Sequence, residues 1–240
     1  MPHFSSYDGA ELAYRVLDDT SDHPDALARP PLVCLAGGPA RDAEYLGDLG
    51  GLSAHRRLIV PDARGTGASP AAADPVAYAF PHLAEDVEAL RTHLGLERFA
   101  LLAHDAATAT AQAYAASHPE TLSHLVLLNP GSRLQGELPD DAREIFESRA
   151  ADEDWWEEAY VAVQLLQRAD DLDEIRRLLL RAAPMAYGAW GAEQRAHAES
   201  EGEQLNPVPR AGFWQGVDDP TRLALLERLS AVKAPVLVVT

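Results

Sequence analysis

The apolar run Phe99-Ala100-Leu101-Leu102-Ala103 passes through His104 and Asp105 straight into an alanine-rich stretch, Ala106 to Ser117. The first segment reads as a buried strand and the second as a helix, so a sharp turn centred on Asp105 must join them. Such a turn strains its central residue and lifts its side chain out of the sheet. Helix and strand can approach each other only if the flanking residues are small, and Ala103, Ala106 and Ala107 meet that condition. A chain built around this junction alternates strand and helix.

The rest of the sequence keeps that rhythm. Phe4 to Ser6 and Glu11 to Val16 flank Asp8-Gly9, a strong hairpin signal, so two antiparallel strands open the chain. A polar, proline-bearing loop follows. Leu32 to Leu35, Leu58 to Val60 and Leu122 to Leu128 are further short apolar runs, separated by helical stretches such as Phe80 to Leu94. This pattern predicts an α/β fold: a mostly parallel sheet with helices on both faces. Residues 1–130 are expected to form that core.

Beyond Asn129-Pro130-Gly131 the strands stop, and amphipathic helical segments take over at Asp140 to Ala150, Asp154 to Arg168 and Asp171 to Ala183. Residues 131–230 therefore read as a helical cap inserted into the sheet. Residues 231–240, with Pro235 to Thr240 as a strand, return to the core. Its open edge leads us to expect self-association and poor stability.

Acidic residues outnumber basic ones by 38 to 20, and the formal charge is -18. Such a surface repels nucleic acid and anionic membranes, which leaves a small neutral or cationic ligand as the expected partner. The single cysteine, Cys34, excludes a disulfide framework and sits in an apolar run, where a buried strand residue is the ordinary reading. Met1 to Arg15 lacks the apolar core of a signal peptide, and no stretch reaches the length of a membrane span, so a cytoplasmic location is expected. The histidines show no metal-ligand spacing; neither a metal nor another cofactor is expected.

Three motifs occur in a fixed order: Ala36-Gly37-Gly38-Pro39-Ala40 after a strand, Asp62-Ala63-Arg64-Gly65-Thr66-Gly67-Ala68-Ser69 after the next, and then His104-Asp105-Ala106-Ala107. This arrangement resembles the α/β-hydrolase superfamily, and within it the proline iminopeptidase-type hydrolases. Those proteins carry His-Gly-Gly-Pro-Gly, Asp-x-Arg-Gly-x-Gly-x-Ser and Gly-x-Ser-x-Gly in these places. The resemblance makes Asp105 the residue of the nucleophile elbow, where serine is usual. It also implies an oxyanion hole formed by the amides of Gly38 and Ala106, with Gly37 beside them on the substrate side. Taken alone, Gly37-Gly38-Pro39 would read first as a strand-ending turn. Arg64 is expected to tie loops together, and His104 to be a packed histidine rather than a base.

In the iminopeptidases, cap glutamates hold the substrate's free amine. By that likeness Trp155, Trp156, Glu157 and Glu158 are candidates for substrate binding, although tryptophans in a helical segment more often fill its core. The superfamily places its catalytic carboxylate after the seventh strand and its histidine after the eighth, beyond Thr240 in this sequence. Three functional readings follow: an inactive scaffold of hydrolase descent, a truncated aspartate-nucleophile hydrolase of the epoxide hydrolase or dehalogenase kind, and a non-catalytic small-ligand-binding protein.

Overall fold

The computed structural model describes residues 1–18, 29–136 and 141–240; most of the proline-bearing loop and Asp140 lie outside them. The strands are β1 (His3–Ser5), β2 (Glu11–Leu17), β3 (Leu32–Leu35), β4 (Leu58–Pro61), β5 (Phe99–His104), β6 (Leu122–Leu128) and β7 (Val236–Val239). The α-helices are α1 (Phe80–His93), α2 (Ala107–Ser117), α3 (Asp141–Ser148), α4 (Trp156–Leu166), α5 (Leu172–Ala182), α6 (Ala192–Gln204), α7 (Pro207–Gly212) and α8 (Asp219–Arg228). Two compact units result: Met1–Gly136 with Leu205–Thr240, and Glu137–Gln204. Helices α7 and α8 lie inside the stretch 131–230 that the sequence reading assigns to an insertion, and they belong to the first unit.

The first unit is built on one seven-stranded sheet in the order β1-β2-β4-β3-β5-β6-β7. The opening hairpin pairs Phe4 with Leu12 and turns through Gly9, whose φ of 84° suits glycine. β2 runs antiparallel to β4, while β3, β4, β5, β6 and β7 run parallel to one another. Alternate residues of the parallel strands face opposite ways. Val33, Leu35, Phe99, Leu101 and Ala103 join the larger core cluster with Phe80, Val87 and Leu90 of α1, the alanines of α2 and Leu225 of α8. Leu32, Cys34, Ala100 and Leu102 join a smaller cluster on the other face.

Every residue of α2 from Ala107 to Ala116 is buried, which explains its composition: a helix enclosed on all sides can come close to the sheet only with short side chains. The second face is covered differently. Leu46 and Leu52 pack on it from short 3-10 turns at Ala43–Leu46 and Leu52–Ala54, and Leu49 packs on it from the link between them. Gly47, Gly50 and Gly51 all have positive φ between these turns, and such residues interrupt an α-helix. The side chains of β7 are 45–56% exposed.

In the second unit, α4 packs on α5, and Ala159 and Ala162 are fully buried in α4. Asp171 caps α5 by accepting a hydrogen bond from the Glu174 amide. No helix among the described residues is long and apolar enough to cross a membrane.

Candidate functional site

The junction between β5 and α2 is a turn of a single strained residue. Asp105 has φ of 51°, a left-handed conformation that aspartate tolerates better than most residues. Three hydrogen bonds fix its backbone. Its N–H extends the β5–β6 ladder by donating to the Leu128 carbonyl at 2.9 Å, and its carbonyl accepts from the Thr108 amide at 3.0 Å and hydroxyl at 2.6 Å.

The glycine loop after β3 closes over this turn. A Cβ on Gly37 would overlap the His104 carbonyl oxygen and lie 2.8 Å from the Asp105 Cβ, so the loop can approach only without a side chain there. Gly38, at φ of 112°, donates its N–H to Asp105 Oδ2 at 3.0 Å. Asp105 Oδ1 has no hydrogen-bond partner among the described residues and is not buried, so it remains open to solvent. No ion pair forms at this carboxylate among the described residues. The Ala106 N–H, on the first residue after the turn, likewise has no partner among them.

Residues far apart in sequence hold the loop from behind. The Gly37 N–H donates to the Tyr45 hydroxyl at 2.8 Å, and that hydroxyl lies 2.7 Å from His104 Nδ1. The amide can only donate, so the Tyr45 oxygen accepts from Gly37, and the direction of its bond with His104 Nδ1 follows the His104 tautomer. Burial pushes the His104 pKa down; the Asp105 charge opposes the shift and Arg41 adds to it. The Arg41 guanidinium stands 4.5 Å over the Tyr45 ring. Arg210 of α7 donates to the Gly38 carbonyl at 2.5 Å, the Asn206 amide donates to the Ala40 carbonyl at 3.0 Å, and Arg41 forms a bridge with Leu205.

A second polar cluster ties the motif after β4 to the opening hairpin and α1. Arg64, almost wholly buried, donates to both oxygens of Asp86 at 2.8 and 2.6 Å and to both oxygens of Asp8 at 2.6 and 3.0 Å. The Ser6 hydroxyl completes the ring by donating to Asp86. Burial opposes the Arg64 charge, but the two carboxylates outweigh it and hold its pKa above the usual range. Asp86 is pushed up by burial despite Arg64 and Ser6, whereas the Arg64 hydrogen bond holds Asp8 down. Arg64 thus joins loops, as the sequence reading expects.

The structure therefore brings Gly37, Gly38, Asp105 and Ala106 together. Trp155, Trp156, Glu157 and Glu158 lie in the second unit at the start of α4. Trp156 stacks on both Phe146 and Tyr160 at centroid distances of 5.0 and 5.1 Å, in a cluster of three rings, and donates to the Phe146 carbonyl. Trp155 lies 4.6 Å from the Arg149 guanidinium. Glu157 and Glu158 are exposed, and Glu158 pairs with Arg181 at 3.0 Å. Tyr45, Asn206 and Arg210 are absent from the sequence-based candidates. Only the fold reveals them, since their partners lie 8 to 172 residues away and follow no periodicity. Among the described residues, no group of three or more His, Cys, Asp or Glu side chains could hold a metal ion.

Comparison with known proteins agrees with this geometry. A proline iminopeptidase of Lactobacillus helveticus (strain DPC 4571) is 34% identical over 123 residues, a match that covers 50% of this chain and 40% of that protein. A proline iminopeptidase of Xanthomonas citri is 29% identical over 184 residues, covering 71% of this chain and 56% of its own length. These matches thus span about half the length of the relatives. The crystal structure of a proline iminopeptidase from Mycobacterium smegmatis superposes with a TM-score of 0.66 at 20% identity, covering 99% of this chain and 80% of that one. A sequence profile of the alpha/beta hydrolase fold matches residues 30–181, more than half of the chain. The strand order, the turn at Asp105, the glycine loop and that profile all lead to one conclusion: the chain belongs to the α/β-hydrolase fold family.

Proposed function

We propose that this protein descends from acyl-transfer hydrolases but performs no serine-type acyl transfer, and that it retains the site for binding a small neutral or cationic molecule. One observation carries the reading: the Gly38 N–H, in the place of an oxyanion donor, is taken by Asp105 Oδ2 at 3.0 Å. Oxyanion stabilisation needs donors aimed at charge that develops during the reaction. Here a permanent carboxylate fills that position, with the Ala106 N–H as the remaining donor. The elbow also offers no hydroxyl. A carboxylate that attacked an acyl carbon would yield an anhydride rather than the acyl-enzyme of a serine hydrolase. The peptidase activity named for the similar proteins is therefore not carried over to this chain.

Hydrolysis of a p-nitrophenyl ester tests this directly. The protein and its Asp105→Ala variant should release p-nitrophenol at the same rate. Turnover that the substitution abolishes would overturn the proposal.

A second reading draws support from the open oxygen. With Oδ2 held by Gly38, Oδ1 is free to attack a saturated carbon, as in displacement at an epoxide. An ester bond from Oδ1 to that carbon would form, the carbon–oxygen bond of the ring would break, and the released oxygen would take a proton from water. Incubation with styrene oxide followed by intact-mass measurement decides between the two readings. A mass gain of one epoxide, absent in Asp105→Asn, would establish the second, and no adduct would favour the first.

A further inference from the structure

The first unit contains a cavity of about 60 Å³ that the Asp105 site does not use. Leu12, Leu35, Leu90 and Phe213 form much of its wall, and Pro39 and Ala40 of the glycine loop close one side. None of Gly37, Gly38, His104, Asp105 and Ala106 lines it. Ala36, which stands where the resembled motif carries histidine, is among the small side chains at the wall, and Thr110 of α2 faces it as well.

Most of the charged groups that reach this space are committed elsewhere. Arg64 is engaged by Asp8, Asp86 and Ser6. Asp62 accepts from the Ala68 amide through Oδ2 at 3.0 Å. Its Oδ1 lacks a hydrogen bond and has Arg15 Nη1 at 3.3 Å. The volume corresponds to about four to six water-sized spheres, yet a buried water needs two to four polar partners. Asp62 Oδ1, beside Arg15, and the hydroxyls of Tyr78 and Thr110 are the few groups at this wall that could offer them. The rest of the wall is aliphatic and aromatic, so an apolar guest is favoured over water.

From this we infer that the protein binds a small uncharged apolar molecule, or the short aliphatic end of one, in this second site beside the glycine loop. The inference does not rest on the chemistry of Asp105. An engineered apolar cavity of about 150 Å³ accepts benzene or xenon. A space of about 60 Å³ is smaller than one that accepts benzene, so the smaller xenon atom is the guest expected to fit.

Xenon is therefore the probe, added to the full chain and followed through methyl resonances. Leu12, Leu35 and Leu90 should shift saturably with xenon pressure, while Leu46 and Leu52, on the other face of the sheet, should not move. Ala36→Val and Thr110→Ile each narrow the cavity and should weaken xenon binding at least severalfold. If one of them does not fold, as judged by circular dichroism, the other decides. Non-saturable shifts, shifts that both folded variants leave unchanged, or equal binding of benzene would each overturn the inference.

Discussion

Asp105 and Asp86 are both carboxylates of the first unit, and their surroundings differ in almost every respect. Asp86 has a side chain only 10% exposed, faces a guanidinium that is 1% exposed, and accepts from a serine as well. Asp105 has one backbone donor, no cation paired with it among the described residues, and one oxygen open to solvent. The backbone reverses the contrast. Asp86 lies in the regular helix α1, whereas Asp105 is held at a positive φ by bonds to Leu128 and Thr108. Charge compensation serves architecture at the first site. At the second, strain is tolerated while the charge is left without a counter-ion, the pattern expected where a protein meets a ligand.

The largest expected effect comes from removing the shared cation. Arg64→Ala leaves Asp8 and Asp86 facing each other without compensation and should cost about 3–5 kcal/mol in urea unfolding, as breakage of a buried ion pair does. Asp105→Ala removes one hydrogen bond at a partly open site and should change stability by less than about 1 kcal/mol. Equal losses in the two variants would erase the distinction between the sites.

Acid should act next. Asp8 ordinarily titrates at 3.8 and is held lower by Arg64, so its contribution to stability is complete above that value and is lost as pH falls through its depressed folded value. Asp86 behaves in the opposite sense: its pKa is raised, so ionisation costs the fold above that pKa and protonation removes the cost. Because the Asp8 side chain is 37% exposed, solvent screening limits its contribution to about 1 kcal/mol. The difference in Tm between the protein and Asp8→Asn should therefore be largest near neutrality and should shrink below pH 4, roughly. A difference independent of pH would remove Asp8 from the ionic cluster.

The smallest effect concerns the loop over Asp105. Ala40 has φ of 65°, where the resembled motif carries glycine. Ala40→Gly should relieve left-handed strain and stabilise the protein by a few tenths to about 1 kcal/mol, the greater chain entropy of glycine offsetting part of the gain. A loss of stability would mean that the loop is not strained there.

The sheet was legible because each strand is a short apolar run set between turn residues: Leu32–Leu35 and Leu122–Leu128 fall where the apolar residues do. Helix ends were less legible. The expected helix from Asp154 begins as α4 at Trp156, since periodicity reports a face and the first turn of a helix has little of one. The turn at Asp105 was legible because strand and helix abut there. Its surroundings were not. Tyr45 holds the Gly37 amide and Arg210 the Gly38 carbonyl by single long-range hydrogen bonds, which impose no local pattern on the residues around them. The alternation that suggested helices on both faces also could not distinguish α-helix from the glycine-interrupted 3-10 turns of residues 43–54.

The hydrogen bond from Gly38 to Asp105 underlies both the contrast and the proposed function, and the amide proton of Gly38 reports it directly. Its NMR shift should be compared between the protein and Asp105→Ala. A bond to the carboxylate places the Gly38 proton downfield, and the substitution should move it strongly upfield, while the Gly37 amide, bound to Tyr45, moves much less. A Gly38 resonance that stays in place in the variant would contradict the occupied donor on which the proposed function rests.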